Sequence, residues 1–372
     1  MGHAMLRAMR SGGALCSGLA RDFAAWPAFD ARFADETECL IAVLLAIGTS
    51  HLLGIRNIGW AAFSAYMVIR PSLPESLRRG GLRSVGTAAG AALAGWLAPF
   101  LLNSTVYLSV ALALGGGASL YLATLRPHGY GWWLLGLTFA MVLLDGMEHP
   151  AEAIGAFAQA RLAEVTLGSG IAMLVSAGFK FARGGRTALV SVHTVQTVCA
   201  FSPPGRQRVA LWHTLPGAIA LALIPWVWRL FHLSALSQSS VTIMTVMLVP
   251  VAELAAPGHP ASIRLCHRFL GCGFGGVLAI GLLLLAQHSP LLLTLALCAG
   301  VMVGRHIENG ALDIRYVGTQ FALAFLVVLV PDHYTGLSIW PGLERLSGVL
   351  LGMVLLEPLL LLFKRFAPAS AR

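Results

Sequence analysis

Arg83-Ser-Val-Gly86-Thr-Ala-Ala-Gly90-Ala-Ala-Leu-Ala94 is answered 185 residues later by Arg268-Phe-Leu-Gly271-Cys-Gly-Phe-Gly275-Gly-Val-Leu-Ala279. Both stretches open on an arginine, carry Gly-xxx-Gly and continue in small residues one turn on. Without a Cβ in the way, membrane helices approach backbone to backbone along such a face. Two further echoes keep the same order. Arg161-Leu162 with Val165, Leu167 and Gly168 returns as Arg345-Leu346 with Val349, Leu351 and Gly352, offset 184. Gly136-Leu-Thr-Phe139-Ala140 returns as Gly318-Thr-Gln-Phe321-Ala322, offset 182. Three ordered matches at nearly constant offset predict a chain built as two related halves.

The surrounding composition says where these halves reside. Of 372 residues, 57% are hydrophobic and 11% charged, and the mean hydropathy is +0.77. Soluble domains carry roughly 25% charged residues, so this chain lacks the polar surface that water requires. A membrane helix needs about 20 apolar residues. Runs of that kind fall at 39–56, 58–71, 85–103, 105–124, 129–146 and 161–180, then at 209–228, 238–252, 269–287, 289–305, 315–332 and 345–363. The predicted fold is an all-α integral membrane protein of twelve transmembrane helices. They form two parallel six-helix repeats about a pseudo-two-fold axis along the membrane normal. The runs 58–71 and 238–252 are short for a full crossing. The expected organisation is a cytoplasmic leader (1–37), a first repeat (38–183), a polar linker (184–208), a second repeat (209–366) and a tail (367–372). The mixed-charge leader is not expected to be a cleaved signal.

The formal net charge of +9 would suggest nucleic acid in a soluble protein. Here the positive residues sit in short loops and form no basic stripe interleaved with aromatics, so nucleic acid is excluded as a partner. With the N-terminus inside, 21 Lys and Arg fall on the cytoplasmic side and 4 outside: Arg56, Arg161, Arg229 and Arg345. That imbalance predicts a multi-pass protein of a bacterial inner membrane with both termini cytoplasmic. The six cysteines show no CxxC, and the twelve histidines show no i,i+4 pair; no metal or other cofactor is expected. Gly-x-Ser-x-Gly, HExxH, Walker A and GxGxxG in a βαβ setting are absent, which argues against an enzyme.

The run Gly59-Trp60-Ala-Ala-Phe-Ser-Ala-Tyr-Met-Val68-Ile-Arg-Pro71-Ser72, followed by Arg83-xx-Gly86-Thr87-xx-Gly90, resembles the fusaric acid resistance family of inner-membrane exporters. That family includes aromatic carboxylic acid efflux proteins and is distantly similar to plant aluminium-activated malate channels. Arg70 stands where the family often has Gln before Pro-Ser. The second half, with Ser237-Gln238-Ser-Ser-Val-Thr242 and Arg268-xx-Gly271, fits the family's weaker second module. The resemblance implies export of small organic anions, aromatic carboxylates or other toxic weak acids, by a secondary and proton-coupled mechanism. It also implies a periplasmic adaptor as partner beside the lipid bilayer. A passive anion channel and a non-transporting membrane scaffold remain open alternatives.

The candidate site follows from charges in apolar runs, each of which costs about 2.5–3.5 kcal/mol at mid-bilayer. Arg161 and Arg345 occupy matched repeat positions. They read either as an anion-attracting pair at the outer mouth or as snorkelling end-anchors. Arg83 and Arg268 open the third span of each half, as interfacial anchors or as an inner-mouth anion site. Trp60, Phe139, Phe321, Gln238 and Gln320 could stack on and hydrogen-bond an aromatic acid, a role that rests on the resemblance. Proton-coupling candidates are Glu164, one turn after Arg161; Glu357, deep in the last span; and His51 and His213, in or near the first span of each half. Each of these also reads as a packed or locally satisfied residue, and for His51 and His213 that is the favoured reading. Asp145, Glu253 and Glu308 fall at span ends and read as solvated.

Overall fold

The computed structural model describes residues 23–24, 31–55, 57–149, 153–182, 203–232, 236–250, 253–255, 260–286, 289–310, 312–330 and 339–366. Among the described residues, all regular structure is helical. Ahead of residue 183 run α1 (Ala31–Leu52), α2 (Ile58–Val68), α3 (Leu73–Leu101), α4 (Thr105–Leu125), α5 (Gly129–Glu148) and α6 (Ala153–Ala182). Beyond residue 202 run α7 (Pro203–Phe231), α8 (Leu236–Met247), α9 (Pro260–Ala286), α10 (Pro290–Glu308), α11 (Arg315–Leu329) and α12 (Trp340–Phe366). Most of the expected leader, the tail and the linker as far as residue 202 lie outside the described residues. Helix α7 begins at Pro203, six residues ahead of the expected span.

Eight helices, α3–α7, α9, α10 and α12, are long and apolar enough to cross a membrane. The other four differ for physical reasons. Helices α2, α8 and α11 hold 11, 12 and 15 residues. At 1.5 Å per residue they reach about 17, 18 and 23 Å, against a hydrocarbon core of about 30 Å. Helix α11 was expected to continue to 332 and ends at Leu329. Helix α2 stops because the Ile69-Arg70-Pro71 step cannot stay helical: the residue before a proline is pushed out of the α region, and Ile69 already has ψ 126°. Helix α1 is 22 residues long but places Arg32, Asp35, Glu36 and Glu38 near its start.

The outward faces are apolar. Val85, Phe274, Val277, Leu285 and Val354 are each at least two-thirds exposed, a coat suited to lipid rather than to water. Inside, the Gly-xxx-Gly faces do the work that their spacing predicts. A Cβ at Gly86 or Gly90 would strike the backbone carbonyl of Gly131 or Leu135 on α5. A Cβ at Gly271 or Gly275 would come within 2.6 or 2.8 Å of the Val317 or Phe321 carbonyl on α11. Helix α3 therefore lies directly on α5, and α9 on α11. Gly168 of α6 presses on the Ala61 carbonyl of α2, and Gly352 of α12 lies 2.6 Å from the Ser239 carbonyl of α8 by the same measure.

Two apolar clusters join the parts before and after the linker. One gathers α4, α5, α7 and α8, with Trp133 Nε1 donating to the Met244 carbonyl at 2.9 Å. The other gathers α1, α2, α10 and α11. Helix α4 carries one widened π turn at Leu112–Gly116, where it packs against α7.

Candidate functional site

Helix α2 is wedged between α6 on one side and α11 on the other. Its outer stripe, Gly59, Trp60 and Phe63, closes a cavity against the second half of the chain. From α11 come Gln320, Leu323, Ala324 and Val327, spaced i, i+3, i+4, i+7 and so on one helical face. Helix α8 adds Gln238 and Val241, α9 adds Arg268 and Cys272, and α12 adds Arg345, Leu346 and Val349. Among the described residues, the lining thus holds two guanidiniums, two amides, one indole and no carboxylate.

Arg268 is 4% exposed. Its Nη1 donates to Gln320 Oε1 and its Nε to Thr242 Oγ1 at 3.3 Å. Cys272 Sγ approaches the same Gln320 oxygen at 3.8 Å. Arg345 Nη1 donates to the Val327 carbonyl at 3.1 Å, and a Cβ at Gly59 would lie 3.8 Å from that nitrogen. The cavity encloses about 40 Å³. At about 10–15 Å³ per water, that is room for about three waters, whereas pockets for drug-sized molecules measure about 300–1,000 Å³. The arrangement is a small, positively charged, apolar-walled chamber.

The first-half arginines reach the same short helix. The Arg161 guanidinium lies 4.2 Å from the Trp60 ring centre and 4.8 Å from that of Phe157, and pairs with Glu164 at 3.2 Å. Arg83, 2% exposed, donates to Tyr130 Oη at 2.8 Å and lies 5.6 Å from the Phe63 ring centre. Trp60 and Phe63 line the cavity with Arg268 and Arg345, so all four arginines gather around α2.

Arg83 and Arg268 do not open their helices. Helix α3 starts at Leu73 and α9 at Pro260, which sets the two arginines about 15 and 12 Å along the rods. Both are buried, and the polar turn around Glu75, Arg78 and Arg79 ahead of Arg83 is helical where a loop was expected.

Other expected site residues are not brought to the cavity. The Phe139 ring packs where Gly115 of the π turn leaves room, and Phe321 pairs with Phe325 at 5.0 Å between centres. His51 is exposed at the end of α1, and His213 Nε2 lies 3.0 Å from the Met247 carbonyl. Glu164 is fully buried against Arg161. Glu357 is half-buried on α12, away from the cavity lining.

One feature had no place in the sequence reading. Glu308, expected to be solvated at a span end, accepts from Tyr66 Oη at 2.7 Å and pairs with Arg70 and Arg305 at 3.2 Å each. Arg305, 1% exposed, also grips both oxygens of Asp35, at 2.8 and 3.1 Å. The i,i+3 pair Arg305/Glu308 and the i,i+4 pair Arg32/Glu36 were visible signals. Their partners about 270 residues away were not.

Residues 38–200 match the model of the fusaric acid resistance protein family. No curated protein and no solved structure matches the chain. The family match covers the first-half motifs of the resemblance, Gly59–Ser72 and Arg83–Gly90, and stops short of those in the second half, Ser237–Thr242 and Arg268–Gly271.

Proposed function

We propose, from a first half that matches the fusaric acid resistance protein family, that the chain is a secondary transporter exporting small organic anions, aromatic carboxylates or related weak acids. The carrying observation is the chamber behind α2, where Arg268 and Arg345 face Trp60, Gln238 and Gln320 among the described residues. Guanidiniums offer paired donors that match a carboxylate. The indole and the aliphatic wall suit the apolar body of a weak acid. A chamber that holds only about three waters favours an occluded carrier, which must rearrange to admit its cargo, over a standing pore.

The architecture proposed with this function is twelve crossings in two parallel six-helix repeats. In its favour, the same pairings recur after the linker. Helix α3 lies on α5 as α9 lies on α11, α2 on α6 as α8 on α12, and α1 on α2 as α7 on α8. The three short helices would be enclosed by longer neighbours, which tolerates incomplete crossings. Both termini would be cytoplasmic, in a bacterial inner membrane, as the 21 to 4 split of positive charge favours.

The test is flux in proteoliposomes. Benzoate and hydroxylated benzoates should move and compete with one another, an imposed pH gradient should drive them, and short aliphatic acids should compete poorly. No anion flux from correctly inserted protein would overturn the reading. Currents far above carrier turnover would replace it with a channel.

A further inference from the structure

The two seams between the halves differ in kind. Where α4 meets α7 the contact is close and mostly apolar: Gly116 faces the Leu221 side chain, a Cβ at Gly117 would lie 2.8 Å from that of Ala218, and an exposed hydrogen bond runs from Arg229 Nη1 to Thr105 Oγ1 at 3.5 Å. Where α1 and α2 meet α10 the contact is ionic. Asp35 and Glu36 near the start of α1 meet Arg305 and His306 near the end of α10; Tyr66 and Arg70 near the end of α2 meet Glu308. Asn309 Nδ2 donates to Asp35 Oδ2 at 2.7 Å, His306 Nδ1 lies 2.8 Å from Glu36 Oε1, and the Arg32 guanidinium donates to the His306 carbonyl. All these groups lie at one end of the bundle, since α1 starts where α2 and α10 finish.

We infer that this charged cluster is a latch: it holds the α1–α2–α10 seam closed at one end of the chamber and parts when the cavity opens to that side. The inference rests on the transport reading above.

Energetics favours a reversible role. A buried ion pair gains little over a well-packed apolar contact, because its Coulomb attraction offsets the desolvation of both partners. Merely gluing the halves needs no buried ion pair, as the described residues of the α4–α7 seam show. What charges add is an open state of comparable free energy, for once the seam parts every group returns to water. An apolar seam exposed in the same way recovers nothing. Helix α2 ties the latch to the chamber. Trp60 lines the cavity, and Tyr66, six residues further on, holds Glu308. A shift of this short helix moves both.

The experiment reads the latch without any substrate. Cys39 on α1, four residues past Asp35, is fully buried. In reconstituted protein with Cys39 as its only cysteine, alkylation by N-ethylmaleimide should be slow. Glu308→Gln leaves Arg70 and Arg305 facing a neutral amide and should raise the labelling rate about tenfold or more. Tyr66→Phe removes one donor to that carboxylate, keeps the charges, and serves if the first variant fails to fold; a rise of about threefold to tenfold is expected. Unchanged labelling in a variant that keeps the parent's unfolding transition would overturn the latch. Absent anion flux in the parent, with the labelling effect present, would instead sink the transport reading and leave the latch standing.

Discussion

Replacing Arg268 by methionine keeps the stem of the side chain and removes only its donors. Two neighbours lose a partner, Gln320 Oε1 and Thr242 Oγ1. The Gln320 oxygen keeps only the weak approach of the Cys272 thiol at 3.8 Å, and an orphaned buried acceptor costs about 1–3 kcal/mol. The anion loses a charged donor worth about 1.5–3 kcal/mol, a fall of roughly 10- to 150-fold in affinity. Stability and binding separate in a second variant. Arg268→Met with Gln320→Leu removes donor and acceptor together, so thermal stability in detergent should recover at least in part. Anion affinity, read from flux against concentration in proteoliposomes, should stay low. Arg268→Lys keeps the charge without the planar fork and should fall between the two. An Arg268→Met protein that melts with the parent and transports with unchanged affinity would refute the placement of the anion beside Arg268.

Further expectations concern packing and the aromatic residues. Gly90→Ala drives a methyl group into the Leu135 carbonyl and should cost about 1–3 kcal/mol in thermal unfolding; Gly95→Ala meets open space and should be neutral or stabilising by up to about 1 kcal/mol. Trp60→Ala should weaken transport of an aromatic acid more than that of an aliphatic one, whereas Phe139→Leu, which lies away from the cavity lining, should leave the ratio unchanged. Trp133→Phe strands the Met244 carbonyl, now held at 2.9 Å, and should lower stability by about 1–3 kcal/mol.

The helices were legible because apolar runs and glycine spacing are local properties. The Gly86/Gly90 and Gly271/Gly275 faces meet α5 and α11 as their spacing requires. Helix starts were less legible. Leu73–Arg79 holds Pro74, Glu75, Arg78 and Arg79, a loop by hydropathy, yet proline is welcome in a helix's first turn. Within the candidate site, residue types were readable but facing was not. Gln320 and Phe321 are neighbours in sequence and about 100° apart around α11. The cavity takes the face of Gln320, Leu323, Ala324 and Val327, which turns Phe321 aside. The ionic seam was the least legible feature. Charges at helix ends resemble solvated loop residues until the chain brings Asp35 to Arg305.

The parts before and after the linker share helix pairings, yet their arginines differ where it matters. In the first, Arg161 has Glu164 at 3.2 Å on its own helix, fully buried. At the offset of 184 the place of Glu164 falls to Gly348, whose carbonyl accepts from Ser239 Oγ at 3.0 Å. Where Arg83 meets the Tyr130 hydroxyl, Arg268 meets the Gln320 amide. A carboxylate tethered one turn away acts at high effective concentration, and a free anion competes poorly against it. An anion arriving behind α2 would have to displace a built-in competitor at Arg161, but only neutral oxygens at Arg268. The two sets of arginines are thus unequal through a single acidic residue. Under the transport proposal, that inequality favours the second-half side of Trp60 for the cargo.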